Sequence, residues 1–93
     1  MRIIGYIEHP VLKITVFKMN NKISVKLESG LYEQTYKFRE SEHLQNIQDV
    51  QSLIDNEFVQ AVEADFKHMH QRKMQAMGRF LPPPTEDEFD NLI

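Results

Sequence analysis

Cysteine and tryptophan are absent from this chain, and glycine occurs only at Gly5, Gly30 and Gly78. Without a thiol there is no disulfide, no thiolate metal ligand and no cysteine nucleophile. Three scattered glycines cannot form a loop that cradles phosphates, and no Gly-x-Ser-x-Gly elbow is present to hold a serine nucleophile. Long apolar runs are missing too. Arg2, Gly5 and Glu8 interrupt the first ten residues, so neither a leader nor a membrane span is expected. These absences predict a cytoplasmic chain that carries no cofactor and no metal.

What is there belongs to an ordinary globular domain. Hydrophobic residues make up 41% and charged residues 27% of 93 positions, enough for one small core. A core of that size stabilises modestly, so pairing with a second copy would help it. The charge is unevenly spread. Residues 1–39 hold seven Lys/Arg and three Glu, a balance of +4, whereas residues 40–93 hold four Lys/Arg and eleven Asp/Glu, a balance of −7. Such a division marks either a partner surface or two halves that attract each other within one fold.

Four runs alternate apolar and polar residues as strands do: Arg2–Glu8, Val11–Met19, Lys22–Glu28 and Leu31–Arg39. Asn20-Asn21 and Ser29-Gly30 separate the last three, and both pairs tolerate the positive φ of a two-residue hairpin turn. The first turn sets Val16 opposite Val25, Ile14 opposite Leu27, Thr15 opposite Lys26 and Phe17 opposite Ser24. The second sets Leu27 opposite Tyr32 and Ile23 opposite Tyr36. Paired residues share a face, and both hairpins put the apolar set on the same one. The inner face is predicted to carry Ile3, Ile7, Leu12, Ile14, Val16, Ile23, Val25, Leu27, Tyr32, Tyr36 and Phe38. Ion pairs Lys13–Glu28 and Lys26–Glu33 are expected on the other side, and His9-Pro10 turns the first corner.

After Arg39 the period becomes helical. Ile47, Val50, Ile54, Phe58, Ala61, Val62, Phe66 and Met69 fall on one stripe. Asn46 or Asp49 is a fitting start, Ser52 with Asp55 forms an alternative capping box, and Asp55-Asn56 is a point where the helix could break. The helix should stop near Gly78. An unbroken helix over residues 49–77 would be about 43 Å long, against about 24 Å for a seven-residue strand, and would overhang the sheet by roughly three turns. The overhang carries Met69, Met74, Met77 and Phe80, an apolar set that points to a homodimer. Beyond it, Pro82-Pro83-Pro84 ends regular structure. Residues 85–93 are acidic with apolar points at Phe89, Leu92 and Ile93, a composition suited either to an unstructured terminus or to a protein partner's groove. The expected organisation is α+β, ββββα: a four-stranded antiparallel meander with one face covered by a long C-terminal helix, a single domain over residues 1–80 and a Pro-rich, acidic tail over residues 81–93.

Little here points to catalysis. His68 and His70 are two apart on a helix and so diverge, whereas helical zinc pairs are spaced by four. All four histidines, His9, His43, His68 and His70, read as solvated. Asp65 lies within the apolar stripe and should pair with Arg72 or a sheet hydroxyl rather than act as an acid or base. An enzyme is not expected. The outer sheet face offers more, with Arg2, Lys13, Lys22, Lys26, Lys37 and Arg39 around Tyr6 and Phe17. Cations for phosphates and rings for bases are what single-stranded DNA or RNA needs. The same surface is also what an antiparallel sheet with one wetted side presents.

Four antiparallel strands followed by one long helix resemble the unit of the Pur-alpha and Whirly single-strand binders. The resemblance covers residues 1 to about 77 as topology. It implies that the sheet surface holds nucleic acid and that helices mediate pairing. Two functions are therefore expected: first a non-catalytic, homodimeric interaction module, and second a single-stranded nucleic-acid binder using the outer face.

Overall fold

The computed structural model describes residues 1–82 and shows one open antiparallel sheet followed by helices. Strands β1 (Arg2–Ile7), β2 (Lys13–Met19), β3 (Lys22–Ser29) and β4 (Tyr32–Arg39) lie in the order β1-β2-β3-β4. They precede helices α1 (Ile47–Leu53) and α2 (Asn56–Phe80). The fold class is the expected one.

The β2–β3 hairpin has the predicted register, with Val16 opposite Val25 and Ile14 opposite Leu27. Its loop is Asn20-Asn21, in which Asn20 takes the positive φ of 55°. The β3–β4 hairpin is displaced from expectation. Ser29 pairs with Tyr32, so the loop is Gly30-Leu31, and Leu27 meets Gln34 while Ile23 meets Phe38. Gly30 has φ 59° and so occupies the first loop position, which is where a two-residue turn of this kind needs glycine. The displacement slides β4 by two residues, so every face assignment in β4 survives.

The first strand is where the pattern fails. A β-bulge between Ile3 and Gly5 sets Ile3 opposite Phe17 and Gly5 opposite Val16. The extra residue reverses the alternation before it. Ile3 therefore leaves the predicted inner set and is 47% exposed on the outer face, while Ile4 packs against the core in its place. Arg2, expected on the outer face, pairs with Lys18 and belongs by register to the helix side.

The core is built from Leu12, Ile14, Val16, Ile23, Val25 and Leu27 of the sheet region against Val50, Ile54, Val59, Val62 and Phe66. The helical segment does break at Asp55. Asn46 caps α1 by accepting from the Asp49 N–H at 2.9 Å, and the Asp49 carboxylate accepts from the Gln45 N–H at 2.9 Å. Asp55 caps α2 by accepting from the Phe58 N–H at 2.9 Å, so it starts a helix rather than closing a box with Ser52. Breaking the helix lets α1 lie against β1 while α2 follows β4. α2 runs to Phe80, two residues past Gly78 and so near the expected stop. Leu81 ends it in an extended conformation (φ −76°, ψ 138°), as a residue preceding proline prefers.

Gly5 is the close point between α1 and the sheet. A Cβ there would lie 3.1 Å from Ile47 Cδ1 and 3.2 Å from Cγ1. Gly5→Val is expected to overpack this contact and lower the unfolding free energy by about 1–3 kcal/mol. In an Ile47→Ala background the loss should shrink, because the obstructing atoms are gone. Chemical denaturation of the four-member mutant cycle measures this coupling, and strictly additive effects would contradict it.

Candidate interaction surfaces

Two surfaces remain uncovered by the core. On the outer face the registers define cross-strand rows. One is Met19–Lys22–Arg39, the next Ile3–Phe17–Ser24–Lys37, the next Tyr6–Thr15–Lys26–Thr35, and the last Lys13–Glu28–Glu33. The face thus separates into an apolar side on β1 and β2 (Ile3, Tyr6, Phe17, Met19) and a basic side on β3 and β4 (Lys22, Lys26, Lys37, Arg39). Thr15, between the longer Tyr6 and Lys26 in its row, is only 4% exposed.

The cations are not equivalent. Lys26 Nζ lies 3.2 Å from Glu33 and 3.8 Å from Glu28, two carboxylates that the register sets directly opposite each other. The Glu33 hydrogen bond, then the Glu28 and Glu33 charges, hold the Lys26 ammonium above its usual pKa. Lys26 is therefore occupied in offsetting a like-charge pair. The expected Lys26–Glu33 ion pair forms, but diagonally. Lys13 lies opposite Glu28 in register, yet among the described residues no Lys13–Glu28 ion pair forms. At the other end of the face Lys22 is directly opposite Arg39, and the nearby Glu40 is taken by Lys18 at 2.7 Å. Lys22, Lys37 and Arg39 have no ion-pair partner among the described residues. Lys22 and Arg39 line an open groove with Met19, Asn20, Asn21, Glu40, Ser41 and Gln45. Ile3 and Met19 on this face were missed from sequence. The Ile3-Ile4 doublet beside Gly5 was the available sign of a bulge.

The second surface is the far end of α2. The helix runs antiparallel to β4. Phe58 stacks edge-on against Tyr36 (centroids 4.9 Å apart), Asp65 accepts from Gln34 Nε2 at 3.2 Å, and Phe66 lies against Tyr32 at 6.4 Å. The Asp65 partner is thus a sheet amide, neither Arg72 nor a hydroxyl. His70 Nδ1 and the Tyr32 hydroxyl are 2.8 Å apart, and Lys73 Nζ sits 5.4 Å from the Tyr32 ring centroid. Past Lys73 the helix has left the sheet, and every residue from His70 to Phe80 is exposed. Of the expected interface residues, Met69 packs half-buried against the core, whereas Met74, Met77 and Phe80 are exposed. Phe89, Leu92 and Ile93 lie outside the described residues.

Where α2 leaves the sheet, a groove of about 470 Å³ is lined by Val11, Leu12, Ser29, Glu63, Phe66, Lys67, His70 and Gln71. His9 shapes its rim. Its Nδ1 accepts from the Val11 and Leu12 N–H groups at 3.1 Å each, so the ring proton is on Nε2, which lies 3.9 Å from Glu63. His9 is thus a loop organiser rather than a solvated side chain. His68 is exposed, as expected of a solvated residue. No group of three or more His, Asp or Glu gathers at metal-binding distance among the described residues, and no described helix is long and apolar enough to cross a membrane.

The chain has the expected four antiparallel strands followed by a long helix, and nothing in the comparisons confirms a resemblance to the Pur-alpha and Whirly units. Compared with family models, curated proteins and solved structures, the chain matches none of them.

Proposed function

We propose that the protein is a non-catalytic interaction module that pairs with a second copy of itself through the protruding end of α2. The observation that supports this reading most directly is the apolar stripe of α2. It runs through Val59, Val62 and Phe66 under the sheet and continues as Met77 and Phe80 where no sheet remains. A lone 25-residue helix of about 37 Å beside eight-residue strands of about 27 Å leaves that surface wet. Light scattering of the wild-type chain is expected to give twice the mass of one copy. Met77→Asp should return it to a monomer while leaving its circular dichroism unchanged. An unpaired charge buried at an interface costs about 3–5 kcal/mol, so the dimer should weaken at least about 100-fold. A wild-type chain that is monomeric at every concentration would end this reading.

A second reading, single-stranded DNA or RNA binding, is favoured by the division of the outer face. Tyr6 and Phe17 offer rings for stacking beside Lys22, Lys37 and Arg39, which have no described carboxylate partner. Lys26 is the wrong residue to test, being held by Glu28 and Glu33. Fluorescence anisotropy with short single-stranded oligonucleotides is expected to show binding that falls steeply with salt and is lost in Phe17→Ala and in Arg39→Glu. Absence of binding at low salt removes this reading and leaves the first untouched.

A further inference from the structure

The two ends of the outer face treat opposed like charges differently. At one end Glu28 and Glu33 are directly opposite each other, and Lys26 lies 3.8 and 3.2 Å from them as their counter-charge. At the other end Lys22 and Arg39 are directly opposite each other. Facing partners of this kind have Cβ atoms about 4.5–5.5 Å apart, and like charges so placed repel. The nearby carboxylate, Glu40, is 2.7 Å from Lys18 and so is engaged elsewhere. Lys37, two residues before Arg39, adds a third cation without an ion-pair partner among the described residues. The chain thus meets the charge requirement of one opposed pair from within and leaves the other open.

The open pair also borders a place for an anion. Lys22 and Arg39 line a groove of about 740 Å³ at the end of the sheet, between the Asn20-Asn21 turn and the segment leading into α1. Neutral hydrogen-bonding groups complete it. Ser41 Oγ accepts from the His43 N–H at 3.3 Å, which leaves its hydroxyl proton free to donate. The Gln45 backbone N–H is held by Asp49, while its side-chain amide has no hydrogen-bond partner among the described residues. The Glu40 N–H donates to the Asn21 carbonyl at 2.8 Å, which ties the turn to the end of β4 and holds the two cations on fixed backbone.

Resting on the strand-binding reading, we infer that Lys22 and Arg39 form a seat for a terminal phosphate, so that a single strand is held by its phosphorylated end. A phosphate monoester carries about two negative charges at neutral pH and three acceptor oxygens, whereas a diester within a strand carries one charge. Two opposed cations match the monoester in charge. The planar fork of Arg39 suits two of its oxygens, and Lys22 acts as a point charge. The rest of the strand then lies along the sheet, where successive rows of one face are about 7 Å apart. The next row sets Phe17 beside Ser24 and Lys37, a ring for the first base and a cation for the next phosphate. The row after it offers Tyr6, with Lys26 already engaged. Glu28 and Glu33 close the track, because opposed carboxylates repel a phosphate.

The probe is an oligothymidylate of about eight nucleotides carrying a 5′-phosphate, a 3′-phosphate or neither, titrated by fluorescence anisotropy at low salt. At least one phosphorylated strand is expected to bind about tenfold or more tighter than the unphosphorylated one. That ratio should fall to near one in Lys22→Gln and in Arg39→Gln. Neither change should lower the melting temperature, since each relieves repulsion between opposed cations. Lys13→Gln removes the same charge three rows away, about 20 Å along the sheet, and is expected to keep the ratio. Inorganic phosphate at matched ionic strength should erase the ratio without releasing the unphosphorylated strand. Equal binding of all three strands, or a ratio lost equally in Lys13→Gln, overturns the seat and leaves the strand-binding reading standing. Displacement of all three strands alike by inorganic phosphate does the same. Absence of binding by any strand overturns both.

Discussion

Phe66→Ala is expected to lower the unfolding free energy by about 3–5 kcal/mol, the range for removing a buried aromatic ring from a core. The same change at Phe80, four turns further along the same helix, should leave the stability of the isolated copy essentially unchanged. Phe66 is 7% exposed and lies between Val62, Met69 and the Tyr32 ring, whereas Phe80 is 80% exposed. A domain of this size holds only about 5–10 kcal/mol in total, so Phe66→Ala removes a large share of it. Urea titrations of both variants at low protein concentration make the comparison. Raising the concentration then adds the part that depends on pairing: stability should rise with concentration in the wild type and less so in Phe80→Ala. Equal losses at the two positions in dilute solution would mean that the protruding helix end is held by contacts within one copy.

The second large effect is expected at Val50→Asp. Val50 is fully buried and is the only residue of α1 that is; Ile54 follows it as the helix C-cap. Seven residues are too few to remain helical in water without packing. An ionised carboxylate at position 50 meets Ile54, Ile47 and the sheet core, and none of these supplies a cation. The cost is about 3–5 kcal/mol, as for an uncompensated buried charge. Its pH dependence follows in sign. Burial disfavours the charged form and raises the carboxyl pKa above its unfolded value, so the variant should recover stability as pH falls through the raised pKa towards the unfolded one. Amide exchange should show residues 47–54 opening well before β2 and β3 do. A variant that exchanges like the wild type in α1 would mean that α1 is held chiefly by its caps.

The two central strands were legible because three local facts agreed in them. Alternation in β2 and β3 named the faces, Asn20-Asn21 fixed their register, and only one slip value put Ile14, Val16, Ile23, Val25 and Leu27 together. The place of the break, Asp55-Asn56, was marked from sequence, but one continuous helix was the expected form, because the apolar stripe runs on across it. The β3–β4 turn was misplaced by one residue because Ser29-Gly30 and Gly30-Leu31 satisfy the same composition rule. What separates them is which loop position needs positive φ. The helix end fell within two residues of Gly78, near where it was expected, though the glycine is not what sets it. A glycine at position 78 can stop a helix or sit inside one, and the extended preference of Leu81 before Pro82 prevailed.

Of the surfaces, Tyr6, Lys13, Phe17, Lys22, Lys26, Lys37 and Arg39 occupy the outer face as read from alternation, and Arg2 does not. The Ile3-Ile4 doublet marks a fault in the alternation, but which of the two residues faces the core is defined by a partner strand that the local pattern does not include. Nor does alternation say which cations are taken. Lys18 with Glu40, and Lys26 between Glu28 and Glu33, are pairings across strands and loops.

By itself the sequence determined the class of fold, the apolar side of the two central strands and the apolar stripe of the helical segment, because each follows from spacing within one segment. The tertiary structure decided which of Ile3 and Ile4 enters the core, which cations stay unpaired, and how much of α2 the sheet leaves bare. Those depend on where separate segments end relative to one another in space, a quantity that local periodicity does not contain.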